Sequence, residues 1–447
     1  MYSNFVEKLN AYNDGRLAII HEDEKLSYTE FISKVETDYL ILSKSIKEKS
    51  IVVVFGDYSI KSLTIFFALC KLKCVIVPIL TTKEEEIKVK VSISQAQYTI
   101  DSETFKIQKT TIDNSASPLY QELQSSNHSG LVLFSSGSTG EPKAMLHDLD
   151  NLIYSYIGNK QKKLNFLIFL LFDHIGGLNT MLNILTMGST MVIPSSRTPE
   201  VVSRCIEENN VNILPTSPTF LNLMIINNVF DRFDFSSLRL ITYGTEPMPE
   251  RILREIKNRL PRTKLLQTFG TSETGIIKTS SKSSESLLLK FEDQNQETKI
   301  VKGELWIRSK TRILGYLNYD KGNFSEDGWF KTGDLVEVVE EGYLKIIGRK
   351  SQFINVGGEK VLPIEVENVI LQIKEITSCT VFAMDSPITG QTVAAKIFIP
   401  DKSIDEKIIK KKVKDLCRKN LDRFKVPSKI IFLEKLEYSP RFKKSLH

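Results

Sequence analysis

Leu131–Phe134 runs straight into Ser135-Ser136-Gly137-Ser138-Thr139-Gly140-Glu141-Pro142-Lys143, so a short apolar stretch ends in a turn of four hydroxyls, two glycines and a lysine. An apolar run of this length, bounded by turn residues, reads as a buried strand. The glycines let the backbone approach an anion closely, while the hydroxyls and the lysine can donate to phosphate oxygens. A Walker A loop requires G-x-x-x-x-G-K-[ST]. Here the glycines are three apart and Pro142 precedes the lysine, which disfavours a kinase or motor ATPase of that type. A plain Gly/Ser surface turn is the bland alternative, although the Pro-Lys that follows is unusual for a linker.

Two more strand candidates end in the same way. Leu238–Thr242 leads into Tyr243-Gly244-Thr245, and Lys264–Thr268 leads into Phe269-Gly270-Thr271. Ligands of open α/β sheets bind at the carboxyl ends of strands, so three glycine-bearing strand ends point to one shared small-molecule site. Upstream, Ile51–Phe55 and Val75–Ile79 are fully apolar and flank a helical pattern over Ile60–Lys73, as in a parallel sheet covered on both faces. Leu164–Phe172 reads as a further buried strand, far shorter than the roughly 18 residues of a membrane span. Glu297–Ile347 alternates in short runs and suits a small β-rich lobe. After Gly348-Arg349-Lys350 a compact α/β unit begins, with helices expected near Pro363–Ile373 and Asp405–Lys419; the Ser-rich Thr279–Ser286 reads as an exposed loop. The expected fold is α/β: a large N-terminal domain of layered sheets plus the β-rich lobe (1–348), then a smaller α/β domain (349–447).

The 447 residues allow more than one compact unit. Met1–Asn10 lacks a basic flank followed by an apolar core, so no secretory signal is visible. The five cysteines show no CxxC pairing, which argues against a disulfide scaffold or structural zinc and fits a reducing cytoplasm. The net charge of +6 is uneven: residues 349–447 carry 20 Lys and Arg against 12 Asp and Glu, leaving 1–348 at about −2. Either that basic face is merely solvated or an anionic partner docks there, such as a nucleotide cofactor or an acidic carrier protein. No aromatic-interleaved basic motif accompanies it, so nucleic acid is not expected.

With its later motifs, the hydroxyl-rich turn resembles the signature loop of the adenylate-forming superfamily, which comprises acyl- and aryl-CoA synthetases, peptide-synthetase adenylation domains and luciferases. The resemblance runs from about Leu26 to Ser445 with the motifs in the family's order. It implies that Ser135, Ser136, Gly137, Ser138, Thr139, Gly140 and Lys143 hold ATP phosphates. Gly244-Thr245-Glu246-Pro247 resembles the segment lining adenine, with both central positions changed. Phe269-Gly270-Thr271-Ser272-Glu273 resembles the Tyr-Gly-x-Thr-Glu motif: Phe269 would stack on adenine, Ser272 touch the α-phosphate and Glu273 bind Mg²⁺. Gly328–Asp334 resembles the ribose motif, with Asp334 and then Arg349 on the ribose and Lys350 at the hinge of a mobile C-terminal domain. Gly357 and Gly358 fall in a hairpin resembling the one that swings in for thioester formation. Ser439–Lys443 resembles the terminal catalytic segment, with Phe442 where the family has Gly; Lys443 is then the catalytic lysine and Lys444 the reserve.

For the acid, Phe172–Gly177 resembles a Phe-His-x-x-Gly segment. His174 would gate the acyl pocket beside Asp173 and Gly176, with Pro218, Thr219, Thr242, Tyr243 and Thr271 lining it. A register shift of one would put Asp173 where amino-acid-activating members carry an acid. The implied activity is ATP-dependent formation of an acyl-adenylate, then transfer to a thiol, either coenzyme A or carrier-protein phosphopantetheine. An amino acid activator and a non-catalytic binding relative are the rival readings.

Overall fold

The computed structural model describes residues 2–112, 117–136, 141–293, 295–319, 322–340, 342–436 and 438. Two seven-stranded sheets form the bulk of the N-terminal domain. The first is ordered Lys264–Gln267, Leu240–Tyr243, Ile213–Thr216, Asn165–Leu167, Thr190–Ile193, Leu17–His21 and Glu24–Ser27, parallel except at its last pair. The second runs Gly315–Tyr316, Pro142–Asp148, Gly130–Ser136, Val75–Ile79, Ile51–Phe55, Tyr98–Asp101 and Ile107–Lys109.

Their packing follows from side-chain alternation. Val52 and Val54 face the layer between the sheets, where they meet Ala18 and Ile19 of the other sheet and the helices Tyr28–Ser45, Ile60–Lys71 and Ile175–Met187. Ile51 and Val53 point the other way, towards Tyr120 and Leu123 of helix Pro118–Ser125. Both faces of these strands are buried, which is why their sequence is continuously apolar rather than alternating. Helix starts are set by short polar side chains. Ser27 and Glu30 form a reciprocal capping box, and Ser217 accepts from Phe220 N ahead of Pro218.

A six-stranded sheet spanning residues 279–349 builds the lobe, and the C-terminal domain has its own five-stranded sheet and a separate apolar cluster drawn from residues 354–430. Its helices are Pro363–Ile370 and Glu406–Asn420. Among the described residues no helix is long and apolar enough to cross a membrane.

Two expectations need correction. Only Asn165–Leu167 of the apolar run 164–172 is a strand; beyond it Phe172 N donates to Asp57 Oδ1 and Arg197 donates to the Phe169 carbonyl, so side chains replace the ladder. The Ser-rich stretch 279–286 is no free loop. Thr279–Ser281 pairs with Leu288–Phe291, and the hydroxyls of Ser281 and Ser284 accept from Gln267 N and Leu265 N. Hydroxyls here stand in for the missing neighbour of an edge strand, which polarity alone cannot reveal.

Strand Pro142–Asp148 also buries His147, 2% exposed, and among the described residues neither ring nitrogen has a hydrogen-bond partner. Burial pushes its pKa down from 6.5 to about 4. The unfolded chain therefore binds a proton between pH 6.5 and 4 that the folded chain refuses, so stability is full above pH 6.5 and falls as pH drops through that window. His147→Leu should flatten this acid limb. In paired denaturation curves the wild type should lose about 3 kcal/mol relative to the variant between pH 7 and pH 4.

Candidate active site

The strand Gly130–Ser136 is followed by an antiparallel partner, with Ser135 opposite Lys143 and Ser136 opposite Pro142. Strand, turn, strand is the opposite of the strand-to-helix passage of a Walker loop. Gly137, Ser138, Thr139 and Gly140, like the Ser136 side chain, lie outside the described residues, as do Lys443 and Lys444. The start of strand Pro142–Asp148 is braced by Asn318 and Tyr319, which belong to no recognisable sequence motif. Asn318 Oδ1 accepts from Ala144 N at 3.0 Å and its amide donates to the Pro142 carbonyl at 2.9 Å, while Lys143 Nζ lies 4.2 Å from the Tyr319 ring centre.

The same segment ties in the acidic turn. Gly315–Tyr316 pairs with strand Pro142–Asp148, and Tyr316 Oη donates to Glu273 Oε1 at 3.1 Å. Burial, reinforced by Glu273, pushes the Tyr316 phenol up, so it stays a donor. Glu273 and Ser272 occupy the turn between strands Phe269–Thr271 and Gly275–Ile277 and stay partly exposed, while Thr271 Oγ1 is buried against Thr274 at 2.9 Å. Thr271 therefore stiffens the turn. A Cβ on Gly270 would lie 2.6 Å from the Gly275 carbonyl, so only glycine fits there. Phe269 is 9% exposed and packs on Phe291 at 5.8 Å within the lobe's cluster, which leaves little ring face open for a base. Its ring anchors the turn instead.

Gly244 meets Thr268, whose carbonyl would be 2.9 Å from an added Cβ. The next residue, Thr245, has φ +71°, a left-handed conformation that is costly for a β-branched side chain. The Glu246 carboxylate turns away and accepts from Thr219 N at 2.7 Å, at the start of helix Pro218–Ile226. Thr242 and Tyr243 cannot both line one pocket. Successive strand residues face opposite sides, and Tyr243, 2% exposed, belongs to the apolar cluster with Leu214 and Ile241. Pro218, Thr219, Glu246 and Pro247 line a solvent-open cleft of about 410 Å³, closed on the far side by Ser378, Leu436 and Tyr438.

His174 caps helix Ile175–Met187. Its Nδ1 accepts from Gly176 N at 3.1 Å, which orients the ring at the head of the helix. Asp173 beside it is 9% exposed. A Cβ on Gly176 would meet the flexible end of Leu170 at 2.9 Å, whereas one on Gly177 would lie 2.2 Å from the Leu171 carbonyl, so the strict requirement falls one residue later. The loop presenting these groups is held by an Asp57–Arg197 ion pair, which joins residues 140 apart and was invisible to a linear reading.

Asp334 is 4% exposed, and Arg349, its register partner on the next strand, donates Nε to Oδ1 at 2.7 Å. Burial raises the Asp334 pKa despite the pull of the guanidinium. Arg349 engages one oxygen closely and lies 3.5 Å from the other, so lone pairs remain for two more donors. Glu304, which the sequence reading missed, adds a second buried carboxylate. It takes Lys350 Nζ at 2.6 Å and Gly333 N at 2.9 Å, and although burial raises its pKa these partners hold it below the usual range. Phe269 and Val336 share one apolar cluster, which seats the acidic turn on the strand carrying Asp334. Gly357 and Gly358 lie on an exposed hairpin beside Thr389.

A family profile described as AMP-binding enzyme matches residues 5–317, and one described as AMP-binding enzyme C-terminal domain matches 365–443. The chain belongs to the AMP-binding enzyme family. Among curated relatives of this AMP-binding enzyme, 2-succinylbenzoate–CoA ligase of Bacillus licheniformis is 28% identical over 73% of the chain and 71% of that protein. Its counterpart in Listeria innocua is 24% identical over 97% and 96%. Indoleacetate–CoA ligase of Aromatoleum aromaticum is 28% identical over 68% of the chain and 64% of that protein. The fold matches an anthranilate CoA ligase solved with anthranoyl-AMP (TM-score 0.82, 19% identity, 99% and 95% covered). It also matches o-succinylbenzoate CoA synthetase of Bacillus subtilis with its acyl-adenylate (TM-score 0.80, 21% identity, 99% and 96% covered).

For this AMP-binding enzyme, Asp334→Asn removes a charged acceptor while keeping the shape. Calorimetry should show AMP binding weakened by about tenfold or more, the scale of one charge-assisted hydrogen bond.

Proposed function

We propose that this AMP-binding enzyme is an AMP-forming acid–thiol ligase that activates a carboxylic acid with ATP and passes the acyl group to coenzyme A. The observation that carries this reading is the Tyr316 strand, which hydrogen-bonds the strand leaving the hydroxyl-rich turn and at the same time donates to Glu273. The strand that follows the hydroxyl-rich stretch and the partly exposed Glu273 carboxylate are thereby tied to the same residue, which supports a shared site for phosphate and metal. Among the described residues no three His, Cys, Asp or Glu side chains gather as a metal cage. A single carboxylate suits Mg²⁺, which keeps waters and substrate phosphates as its other ligands. When bound, the ion supplies charge stabilisation on the phosphates; Glu273 would hold it and Tyr316 would orient Glu273.

In the first half-reaction a carboxylate oxygen of the acid attacks the α-phosphorus of ATP in line. The bond to the bridging oxygen breaks and pyrophosphate leaves from the turn 135–143. Asp334 accepts from the ribose hydroxyls, and Lys443 offsets charge at the reacting phosphorus, so catalysis is positioning and electrostatics. In the second half-reaction the C-terminal domain, joined near Lys350, pivots. The thiol sulfur of coenzyme A then attacks the acyl carbon, its proton passes to solvent and AMP leaves. The curated relatives are named for 2-succinylbenzoate and indoleacetate, acids that carry an aromatic ring, which supports a ring-bearing acid for the site beside His174 and Asp173. Five free thiols and the need for ATP and coenzyme A suit the cytoplasm.

The test is acid-dependent ATP–pyrophosphate exchange over a panel of aryl, fatty, short hydroxy and amino acids. At least one aryl or acyl acid should support exchange; Lys443→Ala should lower it by at least about a hundredfold while Lys444→Ala leaves it near wild type. Exchange with amino acids alone would overturn the substrate class. Product formation with a holo-carrier protein but not with free coenzyme A would overturn the acceptor.

A further inference from the structure

The C-terminal domain rests on the N-terminal one through a concentrated polar contact made by a single guanidinium. Arg251, near the start of helix Glu250–Arg259, donates Nη1 to the carbonyls of Leu371 at 3.3 Å, Ile373 at 3.4 Å and Ile376, and Nη2 to that of Lys374 at 3.3 Å. All four acceptors lie in the short stretch that follows helix Pro363–Ile370 in the C-terminal domain. Leu371 caps that helix, so the guanidinium sits just beyond its negative dipole end, where a cation is favoured. All four acceptors are backbone carbonyls, so the contact depends on where that stretch sits.

Three more contacts place the same surfaces together. Asn222 donates to the Thr377 carbonyl at 2.9 Å, Leu436 packs on the apolar cluster that contains Leu221 and Ile252, and Tyr438 lines the cleft shared with Thr219 and Glu246. Lys443 follows Tyr438 by five residues. In this same arrangement the Gly357–Gly358 hairpin is exposed, and a Cβ on Gly358 would meet nothing within 4 Å. The tail side of the domain is docked while the hairpin side faces solvent.

We propose that Arg251 is a positioning residue for adenylation: it holds the C-terminal domain with Leu436 and Tyr438 against helices Pro218–Ile226 and Glu250–Arg259, and it must let go before the hairpin can swing in. This rests on the acid-ligase reading above. It predicts that Arg251 divides the two half-reactions, although it touches neither substrate nor reacting atoms.

The experiment compares full-length wild type, Arg251→Met, Arg251→Lys and Asn222→Ala. Three readouts are taken: acid-dependent ATP–pyrophosphate exchange, thioester formation from supplied acyl-adenylate and coenzyme A, and hydrogen–deuterium exchange over residues 371–378. Arg251→Met should lower pyrophosphate exchange about tenfold, leave the thioester step unchanged or faster, and speed amide exchange over 371–378 severalfold. Arg251→Lys should recover part of the adenylation rate, and Asn222→Ala should repeat the pattern more weakly. Equal loss in both half-reactions, or wild-type amide exchange over 371–378 in Arg251→Met, would overturn the proposal. If no acid supports exchange in the wild type, the ligase reading fails instead, and the amide exchange still decides whether Arg251 holds the domain.

Discussion

Two buried carboxylates stand at the junction of the domains, and two consecutive cations hold them. Asp334 and Glu304 are 4% and 7% exposed, and the Glu304 charge adds to the burial that raises the Asp334 pKa. Burying such charge is expensive unless it is paired and hydrogen-bonded. Arg349 and Lys350 supply the pairing, Gly333 N–H donates to Glu304, and Thr332 Oγ1 accepts from Asp334 N within the same strand. Arg349, the last residue of its strand, reaches Asp334, while Lys350, the first residue of the 3-10 turn Lys350–Gln352, reaches Glu304. Lys350 Nζ and Gly333 N–H share the Glu304 carboxylate, so the ion pair at Lys350 is linked to the peptide that precedes Asp334.

Backbone proximity is the second constraint. The turns after Tyr243 and Gln267 touch through Gly244 and Thr268, and Gly270 is pressed against Gly275. The acidic turn is held this closely because Phe269 is buried in the lobe's cluster and Tyr316 pulls Glu273 towards the strand after the hydroxyl-rich turn. Thr245 stands in a left-handed conformation at this junction, a strain of about 1–2 kcal/mol that the surrounding contacts must offset. Two layered sheets, a lobe and a turn from each thus form one rigid wall. Against it the C-terminal domain is placed by hydrogen bonds and a modest apolar contact, a kind of interface compatible with domain movement.

Apolar runs ending in glycine and hydroxyl turns were enough to read the two-sided sheets, the strand ends and the β-rich lobe, because period and turn chemistry are local properties. The order of motifs was enough to place the chain among AMP-binding enzymes. Whatever depended on distant partners was not legible. Asp57 and Arg197, Glu304 and Lys350, and Arg251 and its four carbonyls are separated by tens to more than a hundred residues, and no spacing rule connects them. Nor could the sequence tell that Tyr243 faces the core, that Phe269 is an anchor, or that a serine-rich stretch completes a sheet edge. Those outcomes rest on which face of a strand meets which neighbour, and a one-residue change in register reverses them. The chain by itself determined which chemistry is carried; the tertiary structure decided which side chains face it, since charge pairing and burial act through space.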